Sequence, residues 1–330
     1  MSNILDSRHF TQYFIVGGAG FIGSHFVDHL LADTGVTSVT VYDNFSSGRE
    51  WHYEHHLSDS RLRILRYDVG NLTELTSAMA GHDVVIHLAS NPDIARAAIE
   101  PEIDFYHGTL LTNNVVEAMR RARVPRLLYA SGSGVYGEIG STEAHEDRGP
   151  LVPVSTYGAS KLAGEALISS YCCMFGLSAL VFRFGNVVGP RQTHGVGLDF
   201  VRRLKTDPSE LRILGDGKQS KSYIHVYDVV AAVLCANSRE ESAFRAFNVA
   251  TGDYITVTEI ADLAVEILGL KPPPQYRYTG GVRGWKGDVP VVRLNTDRIQ
   301  NLGWKCERNC REALRQSITS LSRDERLAGC

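Results

Sequence analysis

Tyr157 and Lys161 lie four residues apart in the stretch Ser155-Thr156-Tyr157-Gly158-Ala159-Ser160-Lys161. On a helix, positions four apart share a face, so a phenol and an ammonium at this spacing point into the same space. An unperturbed tyrosine titrates near pH 10, and a phenolate base near neutrality requires its pKa to fall by roughly 3, or about 4 kcal/mol. A nearby cation favours the ionised form and can supply part of that change. The chemistry such a pair suits is removal of a proton from a hydroxyl. Taken alone, Tyr-x-x-x-Lys is common, and a half-buried tyrosine beside a solvated lysine is the plainer reading.

The pair gains weight from what must position it and what accompanies it. The stretch reads as a helix start, and residues 159, 162, 163, 166 and 167 form an apolar stripe predicted to pack inward. Near the N-terminus, Gly17-Gly18-Ala19-Gly20-Phe21-Ile22-Gly23 follows the apolar run Tyr13 to Val16. Glycines there permit a tight strand-to-helix turn and close approach of a pyrophosphate to backbone N–H groups. Asp43, twenty residues after Gly23, ends the strand-like run Ser38 to Tyr42. A carboxylate at that spacing accepts from both ribose hydroxyls of an adenosine and repels a 2′-phosphate, which favours NAD over NADP. Arg49 is the nearby residue that would suit the extra phosphate.

Apolar runs and helical patterns alternate through the first half, the signature of βαβ units and a parallel sheet. The spacing predicts strands near 13–17, 38–42, 62–66, 83–88, 126–131 and 178–184, with helices near 21–33, 71–80, 102–122 and 155–175. The fold class is α/β: a Rossmann-type doubly wound parallel sheet with a smaller C-terminal substrate-binding lobe. The second half carries more turns, with Pro272-Pro273-Pro274 and a glycine-rich stretch from Gly280 to Gly287, while His225 to Ala236 reads as a helix returning to the main sheet. The expected division interleaves the lobes: 1–185 and 220–247 for the cofactor, 186–219 and 248–330 for the substrate.

The 330 residues are 43% hydrophobic and 22% charged, with a formal net charge of −3, which argues against non-specific nucleic-acid binding. Neither a membrane-length apolar run nor a signal-like N-terminus is present, so a cytoplasmic location is expected. The six cysteines fit neither a disulfide framework nor a four-ligand zinc site and read as reduced thiols. His52-Tyr53-Glu54-His55-His56 invites a metal, but adjacent side chains diverge, so a solvated or helix-capping surface is the expectation and no metal is assigned.

The ordered set Gly17 to Gly23, Tyr42-Asp43-Asn44, Asp68-Val69, His87-Leu88-Ala89-Ser90, Val135-Tyr136-Gly137 and Tyr157-x-x-x-Lys161 resembles the extended short-chain dehydrogenase/reductase family. Within it, the chain looks most like nucleotide-sugar epimerases of the UDP-glucose 4-epimerase type. The likeness continues through Arg183-Phe184-Gly185-Asn186, Gly215-Asp216-Gly217, Tyr223-Ile224-His225-Val226 and Gly287-Asp288-Val289-Pro290.

That resemblance implies an NAD-dependent isomerase of carbohydrate metabolism: a sugar C4 hydroxyl is oxidised, the 4-keto sugar turns over, and the hydride returns to its other face. It implies cofactor contacts from Gly17, Gly20, Phe21, Ile22, Gly23, Asp43, Asn44 and Ser131. Asp68 and Val69 would meet the adenine, with Leu88, Ala89 and Ser90 on the nicotinamide side. Tyr157 and Lys161 would touch the cofactor as well as carry the proton chemistry. Relatives place a serine or threonine four residues before the tyrosine of Val-Tyr-Gly; here that position is Gly132, with Ser133 the nearest replacement and Ser131 the second choice. Asn186, Lys221 and Arg283 are the implied contacts to an NDP-sugar, Ser133 adding a sugar contact. Dehydratase relatives carry Asp-Glu where this chain has Ser133-Gly134, which favours plain epimerisation. Another NDP-sugar modifying enzyme such as a dehydratase is the alternative, and a non-catalytic cofactor-binding regulator stands behind both. Relatives pair through two long helices per subunit, so 102–122 and 155–175 imply a homodimer.

Overall fold

The computed structural model describes residues 10–91 and 96–327. The chain runs β1 (Gln12–Val16), α1 (Phe21–Ala32), β2 (Ser38–Asp43), β3 (Leu62–Arg66), α2 (Leu72–Met79), β4 (Val84–His87) and a short α3 (Glu102–Asp104). A π-helical segment, Phe105–Leu110, joins α3 to α4 (Leu111–Ala122), which leads into β5 (Arg126–Gly132), α5 (Thr156–Phe175) and β6 (Ser178–Phe184). The remainder is β7 (Asn186–Val188), α6 (Val196–Thr206), β8 (Glu210–Ile213), β9 (Ser220–Lys221), β10 (Tyr223–His225), α7 (Val226–Arg239) and β11 (Phe244–Val249). It ends with β12 (Ile255–Thr256), α8 (Val257–Leu268), β13 (Gln275–Tyr278), α9 (Asp297–Gln300) and α10 (Cys310–Arg323).

Seven parallel strands form one sheet in the order β11-β6-β5-β4-β1-β2-β3. Successive side chains of a strand face opposite ways. In β1, Tyr13 and Ile15 enter a core with Phe26 and Leu30 of α1 and Val229 and Val233 of α7. Phe14 and Val16 enter the opposite core, with Val115 and Met119 of α4 and Ile168 of α5. Both faces of the sheet are therefore covered, as an all-parallel sheet requires. This is the predicted doubly wound architecture, and the six predicted strands all form.

Two local expectations need correction. The helix expected over 102–122 is interrupted by the π segment, which contains Gly108; a Cβ there would stand 2.5 Å from Ser160 Oγ of α5, so the glycine permits close approach of the two helices. The stripe 159, 162, 163, 166 and 167 is not the inward face of α5, because Ala159 and Ala166 are exposed. Gly158, Lys161, Gly164, Glu165, Ile168 and Cys172 are buried instead. The charges of Lys161 and Glu165 are met internally, so the face that apolarity alone would send to solvent is the one that docks.

Strand β11, which hydrophobic pattern reading did not find, extends the sheet beside β6. Its Asn248 is fully buried but satisfied, its N–H donating to Glu146 and its amide to the carbonyls of Ala144 and Asn295. A third core gathers Phe200, Leu204, Leu211, Ile260, Leu263 and Leu314 from α6, β8, α8 and α10. Among the described residues no helix is long and apolar enough to cross a membrane.

Candidate active site

A cavity of about 580 Å³ opens along the C-terminal ends of β1, β4, β5 and β6, where a doubly wound sheet places its ligands. At one end the chain turns from β1 into α1. Gly17 has φ +81°, and a Cβ on it would stand 2.7 Å from the backbone nitrogen of Ala89. A Cβ on Gly23 would stand 2.5 Å from the Gly17 carbonyl oxygen. Both positions admit only glycine without a shift of backbone. Helix α1 begins behind Gly20 with no side-chain cap, leaving its first N–H groups open toward the cavity for an anion.

Asp43 is buried at the end of β2, where Oδ2 accepts from Ala19 N–H at 3.0 Å and Oδ1 from Phe45 N–H at 2.8 Å. Burial raises its pKa, and those two backbone bonds oppose the rise. With Gly17, Gly20, Phe21, Ile22, Gly23, Asn44, Val69, Leu88, Ala89 and Ser90 it lines the same end of the cavity. Asp68 and Arg49 do not line it. The Asp68 carboxylate accepts from Asn44 and from Gly70 N–H, both at 2.7 Å. This cradle suits a dinucleotide: a glycine turn with no room for a Cβ, an uncapped helix N-terminus and an acid beyond it.

Helix α5 brings the tyrosine and lysine to the middle of the cavity. Ser155 caps it by accepting from Gly158 N–H at 3.1 Å, and Gly176 ends it in the left-handed conformation at φ 72°. Tyr157 is half-buried against the cavity, and burial pushes its pKa up to about 12. Lys161 is 3% exposed and donates from Nζ to the Ala130 carbonyl at 2.8 Å. Burial pulls its pKa down to about 8, while Asp104 and Glu165 act in the other direction.

Asp104 and Glu165 are the residues that sequence reading missed. Asp104 is 1% exposed and accepts from Asn91 at 2.8 Å and from Thr156 at 2.6 Å, which ties the start of α5 to the end of β4. Glu165 sits one turn beyond Lys161 and accepts from Ser131 Oγ at 2.6 Å and from Arg183 at 2.7 Å. The four-residue step from Lys161 to Glu165 was the available signal. Ser131, Ser133 and Gly134 also line the cavity.

At the far end Asn186 and Lys221 line the cavity with Tyr223, Trp285 and Asp288. Asn186 donates to the Ser222 carbonyl at 3.3 Å. Lys221 pairs with the buried Asp288. Arg283 does not line the cavity; its guanidinium bonds the Asp288 carbonyl and Glu138, and Trp285 reaches the wall in its place.

The histidine cluster lies elsewhere. His55 and His56 do converge, each placing Nε2 2.9 Å from Asp28 Oδ1. Asp28 also pairs with Arg191; burial alone would raise its pKa, but the bonds from His25 and Arg191 hold the carboxyl far below its usual range. With a guanidinium already on the carboxylate, the group is an ion-paired clamp between α1 and the loop before α6. His52 is buried, its Nδ1 2.7 Å from the Ala19 carbonyl oxygen.

The sequence matches the model of the NAD dependent epimerase/dehydratase family over residues 13–250. It is 30% identical over 312 residues to the UDP-glucose 4-epimerase of Mycolicibacterium smegmatis, covering 92% of this chain and 96% of that one. The fold superposes with a TM-score of 0.83 on the Thermus thermophilus UDP-glucose 4-epimerase solved with NAD, at 30% identity over 94% of this chain and 99% of that one. It superposes with a TM-score of 0.88 on DesIV, the dTDP-glucose 4,6-dehydratase of Streptomyces venezuelae, at 25% identity over 96% and 100% of the two chains. Match, fold and cradle agree: this chain belongs to the NAD-dependent epimerase/dehydratase family.

Proposed function

We propose that this protein is an NAD-dependent nucleotide-sugar 4-epimerase that works by reversible oxidation at sugar C4. The observation that carries this reading is the convergence of Tyr157 and Lys161 on the cavity that also holds the glycine turn and Asp43, in a chain whose full-length relatives include UDP-glucose 4-epimerases. NAD, when bound, supplies hydride acceptance and return. Tyr157 takes the proton of the C4 hydroxyl as the carbonyl forms and gives it back when the keto sugar has turned, so there is no net oxidation. Lys161 stabilises the ionised tyrosine by its charge. Lys221 and Asn186 are the residues proposed to meet the diphosphate and sugar, with Arg283 withdrawn behind Asp288 and Glu138.

A dehydratase is the second reading, supported by the likeness to DesIV. Removal of water after oxidation requires an acid and a base beside the reacting sugar. The residues following Gly132 into the cavity are Ser133 and Gly134, and among the described residues the carboxylates lining the cavity are Asp43 and Asp288, at its two ends. That distribution favours epimerisation.

The subunits are proposed to pair through α5 and the helical stretch ending in α4. Phe105 and Tyr106, each 53% exposed, and Leu110, with Ala159 and Ala166, leave an apolar surface on these helices. A cytoplasmic location is part of the same proposal.

The test is a panel of UDP-, dTDP-, GDP- and ADP-sugars incubated with purified protein and NAD, read by mass spectrometry and NMR. A product of unchanged mass with inverted C4 supports the epimerase and names its substrate. A product lighter by one water replaces it with the dehydratase.

A further inference from the structure

Gly132 is not there because the backbone demands it. Its φ of −157° is ordinary extended geometry, and a Cβ built on it would meet nothing within 4 Å. A side chain at 132 would stand in open space at the end of β5, so the hydroxyl that the resemblance implies there is absent although nothing forbids it. Ser131, one residue earlier, is not available to replace it, because its hydroxyl is spent on Glu165 at 2.6 Å.

The segment that follows the neighbouring strand offers another hydroxyl at the same edge of the sheet. Strands β4 and β5 run in parallel register with His87 opposite Tyr129. Ser90 stands three residues beyond the end of β4, and Gly132 is the last residue of β5, so both lie at the C-terminal edge of the sheet, and both line the cavity. Ser90 lines the cavity with Tyr157, and its hydroxyl is shut off from solvent without a partner at full hydrogen-bonding distance. A buried hydroxyl left unpaired is unfavourable, so one that persists at a reaction centre calls for a partner there. The group it faces is the Tyr157 phenol, whose ionised form it favours.

We infer that Ser90 supplies the hydroxyl missing at Gly132, donating a hydrogen bond to the Tyr157 oxygen while that oxygen is ionised and releasing it when the oxygen is protonated. The inference rests on the reading of Tyr157 as the base. Ser90 keeps its own proton throughout: the proton that moves passes between the sugar hydroxyl and Tyr157, and the electron pair of the C–H bond leaves as hydride. The hydroxyl is thus carried by the segment that follows β4 instead of by the end of β5. Ser133 is then a wall residue, not the replacement.

The experiment uses the NAD-loaded protein and two readouts. The first is the phenolate absorbance present in the parent and missing in Tyr157→Phe, followed against pH without substrate; the second is turnover on the sugar that the panel identifies. Ser90→Ala is expected to raise the Tyr157 pKa by roughly 1–2, the loss of one hydrogen bond to a charged oxygen, and to lower turnover about 10- to 100-fold with NAD retained. Ser133→Ala is expected to leave the titration unmoved. Adding Gly132→Ser to Ser90→Ala should bring both readouts back toward the parent, since the site at 132 is open. An unmoved titration in Ser90→Ala overturns the inference, whether turnover falls or not, as does a titration shifted by Ser133→Ala instead. Because the titration needs no substrate, it decides the role of Ser90 even if no sugar in the panel turns over, an outcome that would count against the epimerase reading alone.

Discussion

Lys161 directs its ammonium at the carbonyl of Ala130, 2.8 Å away, and stands 5.6 Å from the centre of the Tyr157 ring. It therefore acts on the tyrosine as a charge at a distance and not as a hydrogen-bond donor. A unit charge at that range is worth about 3 kcal/mol at an effective dielectric near 20, or roughly 2 in pKa. Burial sets Tyr157 at about 12 and Lys161 at about 8, so in the unliganded protein the lysine loses its proton first and gives the phenol little help. The two must titrate as a coupled pair, with the bound cofactor's positive ring and Ser90 contributing to the ionised state.

Tyr157→Phe is expected to keep NAD and lose turnover by about 10²- to 10⁴-fold, the usual worth of a positioned proton acceptor. NAD released on denaturation, counted per subunit, checks the first half, and single-turnover kinetics the second. Unchanged turnover would remove Tyr157 from the mechanism.

Lys161 must be charged to support the phenolate, and its pKa is depressed to about 8. Turnover should therefore fall as pH rises through about 8, earlier than an ordinary lysine near 10.4 would dictate. Asp104 raises the lysine pKa, so Asp104→Asn should move that alkaline limb to lower pH. A pH profile of kcat in the parent and the variant measures the shift; a limb that stays put or moves upward contradicts the assignment.

How much of this was legible beforehand depends on whether the signal was local. The strands, the glycine turn with Asp43, and the Tyr157–Lys161 step are patterns within one element or one βα unit, and the chain displays them directly. Asp104 was not legible, and Glu165 only by its four-residue step from Lys161, because their work is done across elements, toward Asn91, Thr156, Ser131 and Arg183, and nothing beside them in sequence announces those partners. The inward face of α5 was misjudged for the same reason: polarity predicts exposure only when the partners of a charge are not buried with it. Arg283 shows the reverse fault, a cation near the right place in sequence that the fold turns toward Glu138 while Trp285 reaches the cavity.

Arg183 and Glu165 form a buried pair with side chains 6% and 5% exposed, and Arg183 also donates to Tyr136 and to the Glu146 carbonyl. Removing one member of such a pair leaves the other charged and unmatched, which destabilises by about 3–5 kcal/mol. Glu165→Ala should show this as a lower urea midpoint at unchanged slope. Loss of less than about 1 kcal/mol would mean that solvent reaches Arg183.

Lys221 is the cation at the far end of the cavity, and in the unliganded protein it is paired with Asp288. A diphosphate would share or displace that partner. Lys221→Met should raise KM about 10- to 100-fold with kcat little altered, the loss of charge-assisted binding worth about 1.5–3 kcal/mol, while Lys221→Arg should stay near the parent. An unchanged KM in Lys221→Met would place the diphosphate elsewhere.

The helix surface carrying Leu110 and Ala166 offers the last test. Ala159 and Ala166 are small and exposed on α5, so a second copy's helices can approach closely there, and Leu110 and Phe105 stand exposed on the neighbouring helical stretch. Light scattering at micromolar concentration should give twice the 36.4 kDa of one chain. Ala166→Arg puts a long cation into the middle of that contact, where pairing would bury it without a partner, and should shift the mass to that of one chain. The same substitution lies on the solvent side of α5, away from Tyr157 and Lys161, so NAD content should be retained. A parent that scatters as a monomer would leave the apolar face of these helices unexplained by self-association.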